Sequence, residues 1–408
     1  MKMVSRNSTT PAKLIVNVRF ADLQISTLCR RTRDIPAPID TYERGIVPAG
    51  WFVEVRVIRV FLILVCFATG TAAAKDAVTR TDFFVASDPG LRIFVREVRP
   101  QEAKGVPVLL IHGARVPGIG SFDLPVPGGS LAQDIALTGH AVYVMDVRGY
   151  GKSSRGPEFS KPPEGHPPLV RSNEAVRDIA AVVSEIRRRW KKNPVLFGWA
   201  TGGHWAGYFA SLYSDRISAV ILHNTIVGVD APQKLVGRGS DLQDPSHPGQ
   251  FNYKAVGAYR CSTAESLIGV WDRNIPIEDK PTWRDPAIAK AYVDEALKSD
   301  PEGAKRNPPC MRSPNGAMED SFYSAVGRQF WDASLITVPV LITAGEYDFW
   351  SRTEDRERLQ EELVHSPAVR IVVIPRATHF VHLDRAEHGR AELLRALNSF
   401  LQDLDNKR

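Results

Sequence analysis

Val195-Leu196-Phe197-Gly198-Trp199-Ala200-Thr201-Gly202-Gly203 is the stretch on which the fold turns. A short apolar run enters a turn flanked by glycines, and an apolar helical pattern follows over 203–213. Strands covered on both faces read as continuous apolar runs rather than alternating ones. Glycines beside a turn let a strand and a helix approach more closely than side chains would permit. The expected local structure is a buried strand at Val195–Trp199, a sharp turn at Ala200 and then a helix.

The same alternation extends in both directions. Upstream, 83–86 and 91–98 read as an antiparallel pair across Ser87-Asp88-Pro89-Gly90. Runs 106–112, 141–146, 217–223, 338–344 and 371–374 have the buried-strand character. Helical patterns lie at 129–137, Ser172–Trp190, 203–213, 352–363 and 387–404. Strands alternating with helices predict an α/β protein, with a mostly parallel central sheet and helices on both faces. Residues 228–334 break the pattern, being rich in Pro, Gly, Trp and charge, with a helical piece at 286–299. They read as an inserted cap over the sheet's carboxyl edge. The core is then expected in two parts, 75–227 and 335–408.

In an open α/β sheet, ligands bind beyond the carboxyl ends of the strands. The informative residues are therefore those just past each strand. Ile111-His112-Gly113-Ala114-Arg115 follows one, and Asp146-Val147-Arg148-Gly149-Tyr150-Gly151-Lys152-Ser153 another. Gly345-Glu346-Tyr347-Asp348 and Ala377-Thr378-His379-Phe380-Val381-His382 follow two more. The opening stretch has the setting of a nucleophile elbow, G-x-S-x-G. Together, in this order, the motifs resemble the α/β-hydrolase superfamily of the AB hydrolase-1 type over 81–404.

The resemblance implies roles residue by residue. Ala200 stands at the nucleophile position, where the family carries Ser, Cys or Asp. Asp348 matches the acid and His379 the histidine, with Glu346 a weaker candidate for the acid. Backbone N–H groups of Ala114 and Thr201 would form the oxyanion hole. Arg115, Trp199 and His382 are expected near substrate, and His204 close to the chemistry. His112, Asp146 and Arg148 read as structural. The cap aromatics Tyr253, Tyr259, Trp271, Trp283, Phe322, Tyr323, Phe330 and Trp331 either line a pocket or form cap core, the second being the plainer reading.

The family resemblance implies an esterase-like hydrolase acting on a carboxylic ester or amide of a small molecule, with no cofactor and no metal. Alanine cannot attack a carbonyl, so several readings stay open. In the first, Ala200 stands for a serine replaced to trap substrate. In the second, the alanine is natural and His379 is general base for direct attack by water, or for proton abstraction in a lyase. Or the protein is a catalytically silent ligand binder. Thr201 is a poor substitute nucleophile, because one residue past the elbow a side chain points elsewhere.

The formal charge of +6 over 408 residues hints at a polyanion partner and misleads. Residues 1–74 hold ten Lys/Arg against five Asp/Glu, leaving 42 and 41 in the remainder. A nearly neutral body carries no electrostatic footprint for nucleic acid. Arg56 and Arg59, the apolar run 60–68 and Ala72-Ala73-Ala74 follow the order of a secretory signal over 56–74. The chain is therefore expected to be secreted or periplasmic, with no stable membrane span after cleavage. The stretch before the signal is too long for an n-region and reads as a mis-assigned start, with an organellar transit segment second. Cys29 and Cys66 fall in this leader, and Cys261 and Cys310 remain. These two either form a bridge or stay separate buried thiols. Oligomeric state is not legible.

Overall fold

The computed structural model describes residues 78–407, so the expected leader 1–74, its signal at 56–74, Cys29 and Cys66 lie outside the described residues. Strands β1 (Val78–Ala86), β2 (Arg92–Pro100), β3 (Val108–Ile111), β4 (Val142–Met145), β5 (Val195–Trp199) and β6 (Ala219–His223) come before the insert, and β9 (Val340–Gly345) and β10 (Val369–Ile374) after it. They form one sheet in the order β1-β2-β4-β3-β5-β6-β9-β10. β1 pairs antiparallel with β2 and β2 antiparallel with β4, while every other pairing is parallel. The four inner strands β3 to β6 are buried at every residue, as continuous apolar runs require. β10, at the sheet edge, is only half buried.

Alternate residues of each strand point to opposite faces and feed two apolar layers. Val108, Leu110, Val195, Phe197 and Ile221 join one layer, and Leu109, Ile111, Leu196, Val220 and Leu222 the other. Helix α1 (Leu131–Ala136) packs in the first layer. Helices α2 (Ser172–Trp190) and α3 (Thr201–Leu212) pack in the second. Along α2 the buried apolar residues Ala175, Ile179, Val182, Val183 and Ile186 recur at helical spacing. That helix begins where Glu174 accepts from the Arg171 N–H at 2.9 Å, and it ends at Lys191 with φ 54°.

Between β6 and β9 the insert carries the strands β7 (Tyr259–Thr263) and β8 (Cys310–Pro314), which pair antiparallel. It also carries α4 (Ala264–Asp272), α5 (Pro286–Lys298) and α6 (Gly316–Ala325), besides shorter helical turns. This strand pair is absent from the sequence reading. Its two runs are mostly polar and their cysteines lie 49 positions apart, so neither periodicity nor a turn signal announces it. Helices α7 (Thr353–Glu362) and α8 (Arg390–Asn406) belong to the core, α8 packing Leu393, Leu397 and Leu401 on the first layer. No helix among the described residues is long and apolar enough to cross a membrane.

Cys261 and Cys310 are bridged across β7 and β8, with Cα atoms 5.4 Å apart. A loop of that length loses entropy worth about 4 kcal/mol when closed in the unfolded chain. The double variant Cys261→Ser, Cys310→Ser is expected to lose about 2–4 kcal/mol in denaturant unfolding. A midpoint unchanged from the parent overturns that expectation.

Candidate active site

The turn after β5 is the strained point of the backbone. Ala200 has φ 53° and ψ −116°, a conformation that side-chain-bearing residues adopt at a cost of about 1–3 kcal/mol. Its N–H donates to the His223 carbonyl at 2.8 Å, and its own carbonyl accepts from Gly203 N–H at 3.0 Å. The flanking glycines are sterically required. A Cβ on Gly198 would run into the Gly202 backbone, and one on Gly202 into the carbonyls of Ile111 and His112. The strand and helix therefore approach at Ala200 more closely than side chains at 198 and 202 would permit, and Ala200 lines a cavity.

Asp348 sits on the turn after β9, and His379 on the loop after β10. Asp348 Oδ1 lies 2.6 Å from His379 Nδ1. The carboxylate also accepts from the N–H groups of Trp350 and Ser351, at 3.0 and 2.8 Å, and from Ser351 Oγ at 2.6 Å. Burial by itself would push the Asp348 carboxyl up. The His379 imidazole and the Ser351 donors outweigh it and hold the group below its ordinary value. With Nδ1 turned to a carboxylate, Nε2 is the nitrogen left to exchange a proton, and it makes no hydrogen bond among the described residues. Glu346, the other acid of this turn, is exposed and accepts from Arg376 N–H at 2.7 Å instead.

The main chain of His379 is anchored from below. Its carbonyl accepts from Trp199 Nε1 and from Asn224 Nδ2, each at 3.1 Å. Asn224 Oδ1 in turn accepts from Gly345 N–H at 3.0 Å, so one buried amide ties the ends of β6 and β9 to the histidine loop. Asn224 has φ 50°, which asparagine tolerates better than most residues. Its only signal in the sequence is an asparagine just past a buried strand. Replacing it with alanine leaves the Gly345 N–H without its partner. Asn224→Ala is expected to cost about 2–3 kcal/mol, read as a lowered thermal midpoint. A variant as stable as the parent contradicts this account.

The loop after β3 presents Gly113, Ala114 and Arg115 to the same cavity. The Ala114 carbonyl accepts from Tyr150 Oη at 3.0 Å and from Arg260 Nη2. Its N–H gives none of the loop hydrogen bonds among the described residues. Thr201 is the first residue of α3, so its N–H has no carbonyl one turn back to bond. Two unengaged N–H groups thus accompany Ala200 and His379 in the lining. His112 faces away from this site. Its Nε2 accepts from Val147 N–H at 3.1 Å, its Nδ1 donates to the Gly113 carbonyl, and burial pushes its pKa down to about 4. Asp146 and Arg148 likewise hold the turn after β4, Asp146 through Gly118 and Lys152 N–H and Arg148 through Asp178.

The cavity measures about 290 Å³ and is lined by Ala200, Thr201, Trp199, His379, Ala114 and Arg115 among others. Two expectations need correction. His382 does not line it: the ring is fully buried 4.4 Å from the Trp199 ring and packs on Phe122. His204 also points elsewhere, against Phe330 and Trp331, where burial lowers its pKa to about 4. None of the cap aromatics singled out in the sequence reaches the lining. Trp271 and Trp283 instead donate their indole N–H groups to Asp384 at 2.8 and 3.2 Å, and Tyr259 stacks on Phe159. The insert contributes Tyr292, Arg260 and Arg273 to the wall, none of which the sequence reading identified.

Residues 106–255 match the family model described as alpha/beta hydrolase fold. A curated protein of Bacillus subtilis (strain 168), named "Putative 2-succinyl-6-hydroxy-2,4-cyclohexadiene-1-carboxylate synthase", is 24% identical over 212 residues. That match covers 52% of this chain and 66% of the relative, a little under two thirds of its length. Among solved structures, a thermophilic esterase from Thermogutta terrifontis superposes with a TM-score of 0.50 at 20% identity, covering 80% of this chain and 99% of its own. The thioesterase domain from the curacin biosynthetic pathway superposes with a TM-score of 0.50 at 14% identity, covering 79% and 99%. At these identities the likeness is one of fold.

Proposed function

From the premise that this chain belongs to the α/β-hydrolase fold family, we propose that it hydrolyses a carboxylic ester or amide of a small molecule without a covalent intermediate. The observation that carries the reading is His379: Nδ1 on the Asp348 carboxylate at 2.6 Å, Nε2 without a partner among the described residues, and a nucleophile-free Ala200 in the same cavity. A water beside Ala200 attacks the carbonyl carbon while His379 Nε2 takes its proton. The oxygen of the tetrahedral adduct is held by the N–H groups of Ala114 and Thr201. The adduct collapses, the bond to the alcohol or amine breaks, and the leaving group takes the proton back from His379. Asp348 keeps the imidazole in the required tautomer and stabilises its charged form. The insert acts as the cap that selects the substrate. The signal-like leader and the Cys261–Cys310 bridge favour an exported protein.

A second reading uses the same base. His379 abstracts a proton from carbon and an elimination follows, which the missing nucleophile and the relative's name as a synthase favour. Assaying the purified protein on activated esters and amides, in ¹⁸O-labelled water beside His379→Ala, separates the two. Label in the acid product and loss of turnover in the variant support hydrolysis. Turnover without label supports elimination. Binding with no turnover of any kind leaves only a ligand-binding protein.

A further inference from the structure

We propose that the cavity grips its substrate by an oxyanion, a carboxylate or a phosphate, held between Arg115 and Arg260. The inference rests on the hydrolytic reading of this cavity and adds the substrate class: a half-ester or half-amide of a dicarboxylic acid, or a phosphate-bearing ester.

Both arginines line the cavity together with Ala200 and His379. Elsewhere in the protein, buried arginines meet carboxylates: Arg148 meets Asp178, Arg312 meets Asp300 and Arg352 meets Asp355. Arg115 and Arg260 do not, for no ion pair involves either among the described residues. Their partners are neutral. Arg115 Nη1 donates to Ser262 Oγ at 2.8 Å, and its remaining guanidinium nitrogens make no hydrogen bond among the described residues. Arg260 Nη1 donates to the Pro314 carbonyl at 3.1 Å and to Asn315 Oδ1 at 2.8 Å, and Nη2 to the Ala114 carbonyl. Neutral acceptors fix where a guanidinium points but do not offset its charge.

The charges also repel each other. Burial first, and then the neighbouring Arg115, lower the Arg260 pKa to about 10, which still leaves it a cation at neutral pH. Arg273 adds a third cation to the lining, exposed and over the Phe349 ring. Asp241 is the one aspartate or glutamate of the lining; it is exposed and pairs with none of the three. A site with this balance is incomplete without an anion.

One element orients both groups. Arg260 and Ser262 lie on β7, and Ser313 of β8 donates to the Arg115 carbonyl at 2.9 Å. The Cys261–Cys310 bridge ties these two strands together. Arg115 also directly follows Ala114, whose N–H faces the reacting carbonyl in the proposed mechanism. The remaining wall is largely apolar, with Val236, Leu242, Val270 and Phe349. That combination suits a short apolar stem with an anion at one end and the scissile carbonyl near the other.

Calorimetric titration of the protein as it stands with glutarate, inorganic phosphate and neutral dimethyl glutarate tests this. At least one anion is expected to bind about tenfold or more tightly than the diester, and the two arms distinguish carboxylate from phosphate. Arg115→Gln and Arg260→Gln are each expected to weaken that anion about tenfold while shifting the diester less than about threefold. Arg115→Lys and Arg260→Lys each recover part of the loss, and the lysine variant stands in at whichever position the glutamine variant misfolds by thermal unfolding. Anions that bind no better than the diester, or variants that bind them undiminished, overturn the proposal. Anion binding in a protein that turns over no ester removes the hydrolytic reading and keeps the subsite. Equal kcat/KM for monomethyl and dimethyl glutarate removes the subsite and keeps hydrolysis.

Discussion

Ala200→Ser is expected to raise turnover of activated esters by about 10⁴–10⁶-fold and to make the protein reactive toward a fluorophosphonate probe that leaves the parent unlabelled. The expectation follows from what is already in place. The backbone at position 200 holds φ 53° with an alanine there, so a serine adds an oxygen but no new backbone strain. The glycines that permit the turn, the Asp348–His379 contact and the free N–H groups of Ala114 and Thr201 all remain. The added hydroxyl would complete a nucleophile, base and acid in the family's order. Its kinetics would change as well as its rate, with a burst from acyl-enzyme formation. A serine variant that is folded, unlabelled and no faster than the parent shows that His379 Nε2 is not aimed at this position, and the proposed water would lose its base too.

The second large effect concerns the base itself. In the chain with Ala200, His379→Ala is expected to lower ester turnover by about 10²–10⁴-fold with little change in KM, because general-base catalysis contributes on that scale. Asp348→Asn is expected to fall in the same range. The amide keeps the size of the carboxylate, but it can hold the wrong imidazole tautomer and cannot stabilise the imidazolium. One amide orientation turns NH2 to the imidazole and the Trp350 N–H, the other turns it to the Ser351 N–H and hydroxyl, and either removes an acceptor, so the variant's stability must be measured beside its rate. Folded variants of both kinds with turnover within about threefold of the parent would end the general-base account.

The fold was legible because its signals are local. Burial on both faces makes β5 a continuous apolar run, and the sequence reading bounds it as Val195–Trp199, the strand the structure holds. The apolar spacing of Ser172–Trp190 is that of one buried helical face and needs no distant partner to be seen. The insert was opaque for the opposite reason. β7 and β8 are polar runs whose pairing depends on residues about 50 positions away, closed by a bridge that the cysteine count left open. The aromatic residues of the insert looked like a pocket wall and are packing instead, because large apolar side chains satisfy either role.

What the sequence by itself determined is the chain of motifs beyond the strand ends, including the alanine between the glycines of the opening stretch. Those are statements about neighbours along the chain, where strand period and turn sterics act. Only the tertiary structure decided that Asp348 rather than Glu346 touches His379, that Asn224 anchors it, and that His382 is packed away from the cavity. It alone brought Arg115 and Arg260, 145 positions apart, to one cavity without a carboxylate partner. The reason is physical: a contact or a charge balance depends on which distant segments share a low-dielectric recess, and no local pattern encodes that.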